Sequence, residues 1–412
     1  MNITVLEHEK LKISSTRNEA KKQITRKDAE LLKNIEIKNP GIFKWGYDYV
    51  QPQQWIGVIS TGNFNLEILP KVSNSYDEYR IRRILLYMFQ KAYDIPVKSE
   101  INSNVKFGKD GLVELLIFNF LMKLEDYIRS GLIFEYKKQK KNLHAVKGSI
   151  DFMEQINRNI LNPTRFYCKF SKLVIDNNIN RIIKLTLINM MKLTKNTYNS
   201  NMIRNVLPIF SNVKINDNYI INTQKIYFNR LNYRVKDLLE YCELFMDGYS
   251  IHLTTGNNKL RSVLFDMNKL FEKFIFNYCK KIYKGRISYQ NSKYYLIEDA
   301  IGNKKRIKLR PDILINLDKG YKIVVDTKWK VIERFAKETD IYQMNAYVTA
   351  IPQVNNIVLL YPYVRSIEHA LGNYKFINDS GNEKKLKIRA VDMEKIGDEK
   401  NFEDHIKELL ES

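Results

Sequence analysis

Apolar positions along this chain change their period several times, and each change predicts an element. From Gly41 to Val72, aromatic and β-branched residues alternate with polar ones, as in WIGVISTGNFNLEILPKV. With Gly62 and Asn63 between the two runs, this predicts a hairpin. A 3.6-residue period follows in YRIRRILLYMFQKAY and predicts a helix that stops near Ile95-Pro96, where proline lacks the amide to continue it. Further helices are expected at about Leu112 to Arg129, Asp176 to Lys195 and Asn232 to Met246. The lysine-rich YKKQKKN from Tyr136 could touch phosphate, but so short a run reads better as a solvated hairpin. TTGNNK, from Thr254 to Lys259, predicts a linker.

Beyond that stretch the order becomes helix, three strands, helix, strand. A wide-faced apolar helix is expected over Val263 to Tyr283, then strand-like RISYQNSKYYLIE from Arg286 and the runs LRPDILIN and KIVVDTKWK. A short helix at Lys337 to Ala350 leads to the strand NIVLLYP from Asn356. This order predicts an α/β unit with one central sheet covered by helices. Residues 1–40 are polar and charged, with short strands and a lysine-rich helix near Asn18 to Asn34. Three regions follow from these shifts: 1–110, β-rich; 111–256, mainly helical; and 257–412, α/β with a C-terminal tail. No internal repeat or low-complexity tract is visible.

Composition adds a partner class. The 412 residues are 44% hydrophobic and 12% aromatic, enough for packed cores and against disorder along most of the length. Lys and Arg number 68 against 46 Asp and Glu, a formal charge of +22. An excess of this size suits a polyanion, whose counterions it would release; a lysine-rich compositional bias explains it equally well. The three cysteines, Cys168, Cys242 and Cys279, have no zinc-ligand spacing and suggest no disulfide framework, which fits a reducing cytoplasm. The charged N-terminus has no apolar signal core, and LVELLIFNFLMKLEDYI is interrupted by Glu114, Asn119 and Lys123. No membrane span is expected.

The chemistry concentrates between Leu309 and Lys330, LRPDILINLDKGYKIVVDTKWK. Asp318-Lys319-Gly320 separates two apolar runs as a short polar turn. With Lys319 at the centre, facing residues have numbers that sum to 638, so Leu317 faces Tyr321 and Asp312 falls opposite Asp326. Like charges at that spacing repel, and a divalent cation between them would reverse the sign. Lys328, two positions after Asp326, emerges on the same strand face. An ammonium there can orient a water nucleophile or steady the charge on a phosphate in flight. Two acids and a lysine suit metal-assisted phosphodiester hydrolysis; a solvent-exposed hairpin end with ordinary ion pairs is the simpler alternative. Glu272, in LFEKFIF, could supply a third carboxylate or be a partly exposed helix charge. Gln343 and Tyr347 share a helix face and could hold the metal ligands or a DNA backbone, unless Tyr347 is simply core. The histidines His8, His144, His252, His369 and His405 show no HExxH-type spacing, and there is no GxSxG elbow.

RPD before an apolar strand, DTKWK, and then Gln-x-x-x-Tyr resemble the PD-(D/E)xK nucleases, particularly those with a RecB-like QxxxY helix. In order, FDMNKLFEKFI, LRPDILI, VVDTKWK, DIYQMNAY and VLLYP are similar to the motifs of the McrC family, the nuclease subunits of McrBC-type modification-dependent restriction systems. GVISTGNFNLEILPKV, LLYMFQKAYDIP, KGSID at Lys147 to Asp151 and CKFSKLVIDNNINRIIK resemble its upstream segments, so the resemblance spans about Tyr49 to Tyr363.

The resemblance implies a mixed α/β and α+β fold, with an N-terminal β-rich and helical partner-binding region, residues 1–110 docking on the motor. The C-terminal PD-(D/E)xK domain would be a central mixed sheet flanked by helices. It implies a cytoplasmic, Mg²⁺-dependent (or Mn²⁺-dependent) endodeoxyribonuclease serving in phage defence. Its DNA would be double-stranded and modified, as with 5-methylcytosine, and its partner a McrB-like AAA+ GTPase hexamer whose hydrolysis it stimulates. Carried over by position, Asp312 and Asp326 are metal ligands and Lys328 the catalytic lysine, with Glu272, Gln343 and Tyr347 supporting. Asp326 stands where many such enzymes have Glu, and either acid fits the motif. The chain has no GxxxxGK[ST] phosphate loop, as expected of a nuclease served by a separate motor. A non-cleaving regulatory or DNA-binding subunit that activates the motor is the alternative.

Overall fold

A computed structural model of the chain describes residues 2–38, 40–60, 64–72, 77–95, 111–215, 226, 228–230, 232–247, 249–255, 258–299, 304–317, 320–332, 334–377 and 384–412. These form two compact units, one containing residues from both ends of the chain and the other Glu114–Met246.

In the first unit, β1 (Asn2–Leu6), β6 (Trp55–Ser60), β7 (Asn65–Leu69), β11 (Tyr249–Thr255) and β12 (Asn258–Asp266) form a sheet in the order β1-β7-β6-β12-β11. β6 and β7 are the expected hairpin, with Ser60 opposite Asn65; its turn residues Gly62 and Asn63 lie outside the described residues. Gly57, at φ +134°, lets β12 approach, since a Cβ there would lie 2.1 Å from the Val263 carbonyl oxygen. A second sheet, β3-β2-β5-β4, joins β2 (Leu11–Ser14), β3 (Gln23–Thr25), β4 (Phe43–Trp45) and β5 (Tyr49–Pro52). The N-terminal helix, α1, spans Arg26–Lys38, so its start lies well after Asn18. Strand β3, parallel to β2, occupies the residues just before it.

Two further expectations are corrected here. Thr254 and Thr255 pair with Lys259 and Asn258 at the end of two antiparallel strands, so these residues are not a linker. Val263, Leu264 and Phe265 are strand residues buried against β6, where β-branched and aromatic side chains pack well. Helix α8 (Met267–Ile282) starts only after Asp266, whose Oδ1 accepts from the Asn268 amide at 2.9 Å.

The other major sheet of this unit has the order β13-β16-β17-β18-β20-β19. It comprises β13 (Ile287–Tyr289), β16 (Ile313–Asn316), β17 (Lys322–Thr327), β18 (Val354–Pro362), β19 (Gly372–Lys375) and β20 (Lys385–Val391). It is mixed: β17, β18 and β20 run parallel, while β13, β16 and β19 pair antiparallel with their neighbours. One face carries Leu314, Val324, Ile357, Leu359, Tyr361, Leu386 and Ile388, which pack with Met344, Tyr347 and Val348 of α9 (Glu338–Ala350). The alternate residues of β16 and β17 turn to the other face, where α8 packs on β17 and meets α10 (Glu399–Glu411), Phe274 lying 5.7 Å from Phe402. The tail after Tyr363 thus completes the sheet with two strands and covers it with a helix. RISYQNSKYYLIE divides between two sheets. Its first part is β13, and its second is β14 (Tyr295–Glu298), which pairs only with β15 (Lys305–Lys308) as a two-stranded ribbon. Helix α2 (Glu78–Ala92), capped by Asp77, matches its periodicity.

The second unit contains α3, whose residues Gly111–Arg129 are nearly those expected, α5 (Asn178–Leu193) and α7 (Lys236–Asp247). It also has α4 (Phe152–Asn159) and α6 (Thr197–Val206), which the apolar period does not announce. YKKQKKN lies in β8 (Glu135–Leu143), which pairs with the distant β10 (Phe166–Val174), and β9 (Ser149–Ile150) pairs with β10 from the other side. No helix among the described residues is long and apolar enough to cross a membrane.

Candidate active site

β16 and β17 bring the two motif aspartates together. Their register is Ile313 to Val325, Leu314 to Val324, Ile315 to Ile323 and Asn316 to Lys322, every pair summing to 638. The Leu317 amide donates to the Tyr321 carbonyl at 2.7 Å, as that register requires. Asp312 is one residue beyond the last pair. There the ladder gives way: Asp312 Oδ2 accepts from the Thr327 amide at 2.8 Å and its hydroxyl at 3.0 Å, while the Asp312 carbonyl accepts from the Gln290 amide. The neighbouring strand thus holds the first carboxylate in place.

Asp326 is fully buried, 0% exposed. Lys328 Nζ lies 2.6 Å from its Oδ2, as two-residue spacing on one strand face predicts. Among the described residues the Lys328 ammonium is the one polar group on this carboxylate, and Oδ1 has no partner. Burial, followed by repulsion from Asp312, pushes its pKa up to about 7. Burial also raises Asp312, against the Thr327 amide, which lowers it. For Lys328, burial acts downward most strongly, but the charge and hydrogen bond of Asp326 with the charges of Asp312 and Asp340 together outweigh it, and the ammonium is held more firmly than usual.

The supporting residues converge on the same centre. Lys328 Nζ donates to Gln343 Oε1 at 3.2 Å, and Gln343 Nε2 donates to the Tyr347 hydroxyl at 2.7 Å. That hydroxyl donates to the Arg310 carbonyl at 3.1 Å, two residues before Asp312. Tyr347 is therefore both core and linchpin: its ring packs under the sheet and its oxygen fastens the strand that carries Asp312. Glu272, on α8, accepts from Gln290 Nε2 at 2.7 Å. Burial and then the charge of Asp312 raise its pKa to about 7. The field of Asp312 thus reaches both other acids. The exposed-hairpin alternative fails on burial, since Asp326 is sealed in.

Several contributors have no mark in the motifs. Thr327 anchors Asp312, and Gln290, at φ +45°, bridges Glu272 to Arg310. Lys330 pairs with the buried Asp340 on the first turn of α9. Glu7, far away in sequence, accepts a bifurcated hydrogen bond from the single Trp329 indole N–H, 2.9 and 3.0 Å to its two oxygens, and one from the Lys71 amide at 2.8 Å. Trp329 also packs edge-on against Phe271, 5.3 Å between centroids. The loop just after Lys328 is therefore clamped from the N-terminal sheet. The DxK spacing marked Lys328, but nothing local in LEHE marks Glu7.

Among the described residues no three His, Cys, Asp or Glu side chains are close enough to form a complete cation site by themselves. A buried carboxylate with an unpartnered Oδ1, beside a second carboxylate, nonetheless fits a hard divalent cation, which takes its remaining ligands from water or substrate.

Fold and site together define a class: a mixed sheet flanked by helices, with two aspartates at adjacent strand ends, a lysine beside them and a Gln-x-x-x-Tyr helix against them. The family model described as "McrBC 5-methylcytosine restriction system component" matches residues 50–362, and the chain belongs to that family. It is similar over its whole length to a chain of a Thermococcus gammatolerans assembly of McrB AAA+ hexamers with bound McrC, covering 99% of that chain at 18% identity with a TM-score of 0.62. A chain of the T. gammatolerans McrBC complex matches over 67% of this chain and 86% of its own length, at 19% identity and a TM-score of 0.50. Among curated proteins no relative matches.

Proposed function

We propose that this chain is the DNA endonuclease subunit of a McrBC-type restriction complex, hydrolysing phosphodiester bonds of modified duplex DNA with Mg²⁺ and stimulating a partner AAA+ GTPase. The observation that carries this reading is the buried Asp326 carboxylate beside Asp312, its one polar contact among the described residues being the Lys328 ammonium 2.6 Å away. Asp312 and Asp326 would hold the cation, with Glu272 within their field, and the cation when bound would supply Lewis acidity and water activation. Lys328, kept protonated by Asp326, is placed to stabilise charge gathering on the phosphate oxygens. Gln343 and Tyr347 hold Lys328 and the Asp312 strand in one geometry, so the ammonium need not reorganise as charge develops. The partner follows from the assemblies of the similar T. gammatolerans chains with McrB hexamers.

The test is cleavage of methylated and unmethylated plasmid by the chain with its AAA+ partner, nucleotide and Mg²⁺, wild type beside Asp326→Ala. Cleavage should vanish in the variant while stimulated nucleotide hydrolysis persists. A variant that cuts like wild type would show the site to be wrong. If neither protein cuts while both stimulate hydrolysis, the chain is a regulatory subunit.

A further inference from the structure

β14 and β15 form a ribbon that belongs to neither major sheet, and its composition is one-sided. From Lys304 to Arg310 the chain reads KKRIKLR, five cations in seven residues, and every one of the five is exposed. Arg306 has a solvent-exposed pair with Asp299 at 3.5 Å, which screening leaves weak. Arg310 contacts Gln290. Among the described residues, Lys304 and Lys308 have no acidic partner, and Lys305 faces Glu298 across the ribbon. Asp299 and Glu298 offset only part of this row of like charges, so the ribbon keeps a net positive surface open to a counter-charge.

The ribbon is anchored. Tyr294 and Leu296 pack on the core cluster formed with α9, and the Leu309 amide donates to the Tyr294 carbonyl at 2.9 Å. The register runs Tyr295 to Lys308, Ile297 to Arg306 and Glu298 to Lys305. Between the first two pairs, Ile307 sits at φ +54°, a conformation that β-branched residues avoid, and is 58% exposed. Ile297 is also exposed. An apolar pair amid cations, held against backbone preference, is a surface shaped for something outside this chain.

Position identifies that partner. Lys308 precedes Asp312 by four residues, at most about 14 Å of extended chain. With the reach of the lysine side chain added, a phosphate touching Lys308 lies within about 20 Å of a phosphate at the aspartates, roughly six base-pair steps of duplex. Lys305 to Lys308 covers about 10 Å of strand, about three phosphate steps along one strand of a duplex. A two-stranded ribbon is also a shape that the major groove admits. We propose that the β14–β15 ribbon is a duplex-DNA contact element, laying Lys304, Lys305, Arg306 and Lys308 along the backbone beside the cleaved bond. This rests on the phosphodiesterase reading of the neighbouring carboxylates and adds where the substrate is gripped.

The experiment measures the affinity of the full chain for a fluorescent 30-base-pair duplex across a NaCl series without divalent cations. Wild type is compared with the triple variant Lys304→Gln, Lys305→Gln, Lys308→Gln, and with a charge-matched control, Lys21→Gln, Lys27→Gln, Lys33→Gln. Each phosphate contact contributes about 0.9 to the slope of log K against log salt. The ribbon variant should lose about 2 to 3 from the slope and bind at least roughly 10-fold more weakly near physiological salt, with the same thermal midpoint as wild type. The control should keep the wild-type slope. A ribbon variant indistinguishable from the control overturns the proposal, and so does a wild type that binds no duplex. Cleavage assayed separately with the partner and Mg²⁺ distinguishes the two readings. A slope difference without wild-type cleavage sinks the nuclease reading alone, and cleavage without a slope difference sinks the ribbon alone.

Discussion

Replacing Asp326 by Asn should stabilise the cation-free protein at alkaline pH while removing cleavage. The carboxylate is sealed from water beside Asp312, and its pKa rises from 3.8 to about 7. A folded-state pKa above the unfolded value means that the native state holds the proton more tightly. The associated stability is fully present below about pH 4 and is lost as pH rises towards 7, at about 1.4 kcal/mol per unit. Over the full interval the ionised Asp326 costs the fold about 4 kcal/mol. Asp312 and Glu272 share the same excess of negative charge, so neutralising one carboxylate should recover roughly half, about 2 kcal/mol. Lys328 loses a partner but keeps Gln343 and partial contact with water, its side chain being 21% exposed. Thermal unfolding in EDTA at pH 4 and pH 8 reads this directly. The Asp326→Asn midpoint should exceed wild type by about 2 °C at pH 8 and by little at pH 4. Millimolar Mg²⁺ should raise wild type and leave the variant where it was. A variant less stable than wild type at pH 8, or a gap equal at both pH values, would refute the reasoning.

Tyr347→Phe removes the hydroxyl that links Gln343 to the Arg310 carbonyl. It should cost about 1 kcal/mol of stability and lower the cleavage rate more than it weakens DNA binding; a rate equal to wild type would leave the tyrosine as packing alone. Glu7→Ala strips the Trp329 indole and the Lys71 amide of their shared acceptor, with an expected loss of about 1–3 kcal/mol and a changed indole emission on a Trp45→Phe, Trp55→Phe background. Glu7→Gln keeps an acceptor and should preserve the emission; if both variants behave like wild type, the clamp does not act on the loop.

Local patterning determined much of this protein by itself. The β16–β17 register is set by two apolar runs and a polar turn of fixed length, because a one-residue slip would send every side chain to the opposite face. Asp312, Asp326 and Lys328 were therefore legible as a group, and four-residue spacing placed Gln343 and Tyr347 on one helix face. The helices over Leu112 to Arg129, Lys337 to Ala350 and Tyr79 to Ala92 were readable for the same reason: their apolar stripes need no distant partner to be recognised. What sequence could not supply was the identity of distant partners. Val263 to Phe265 has an apolar pattern equally suited to helix or strand, and only the neighbouring edge of β6 makes it a strand. The tail beyond Tyr363 is too polar on average to announce core strands, yet β20 is buried between β18 and β19. Burial itself, which makes Asp326 costly and reactive, belongs to no residue's neighbourhood in the chain. It arises where α9 closes over one face of the sheet; likewise, only the fold brings Glu7, more than three hundred positions away in sequence, to Trp329. A carboxylate's pKa follows the dielectric and charges around it in space, and those are decided by packing alone.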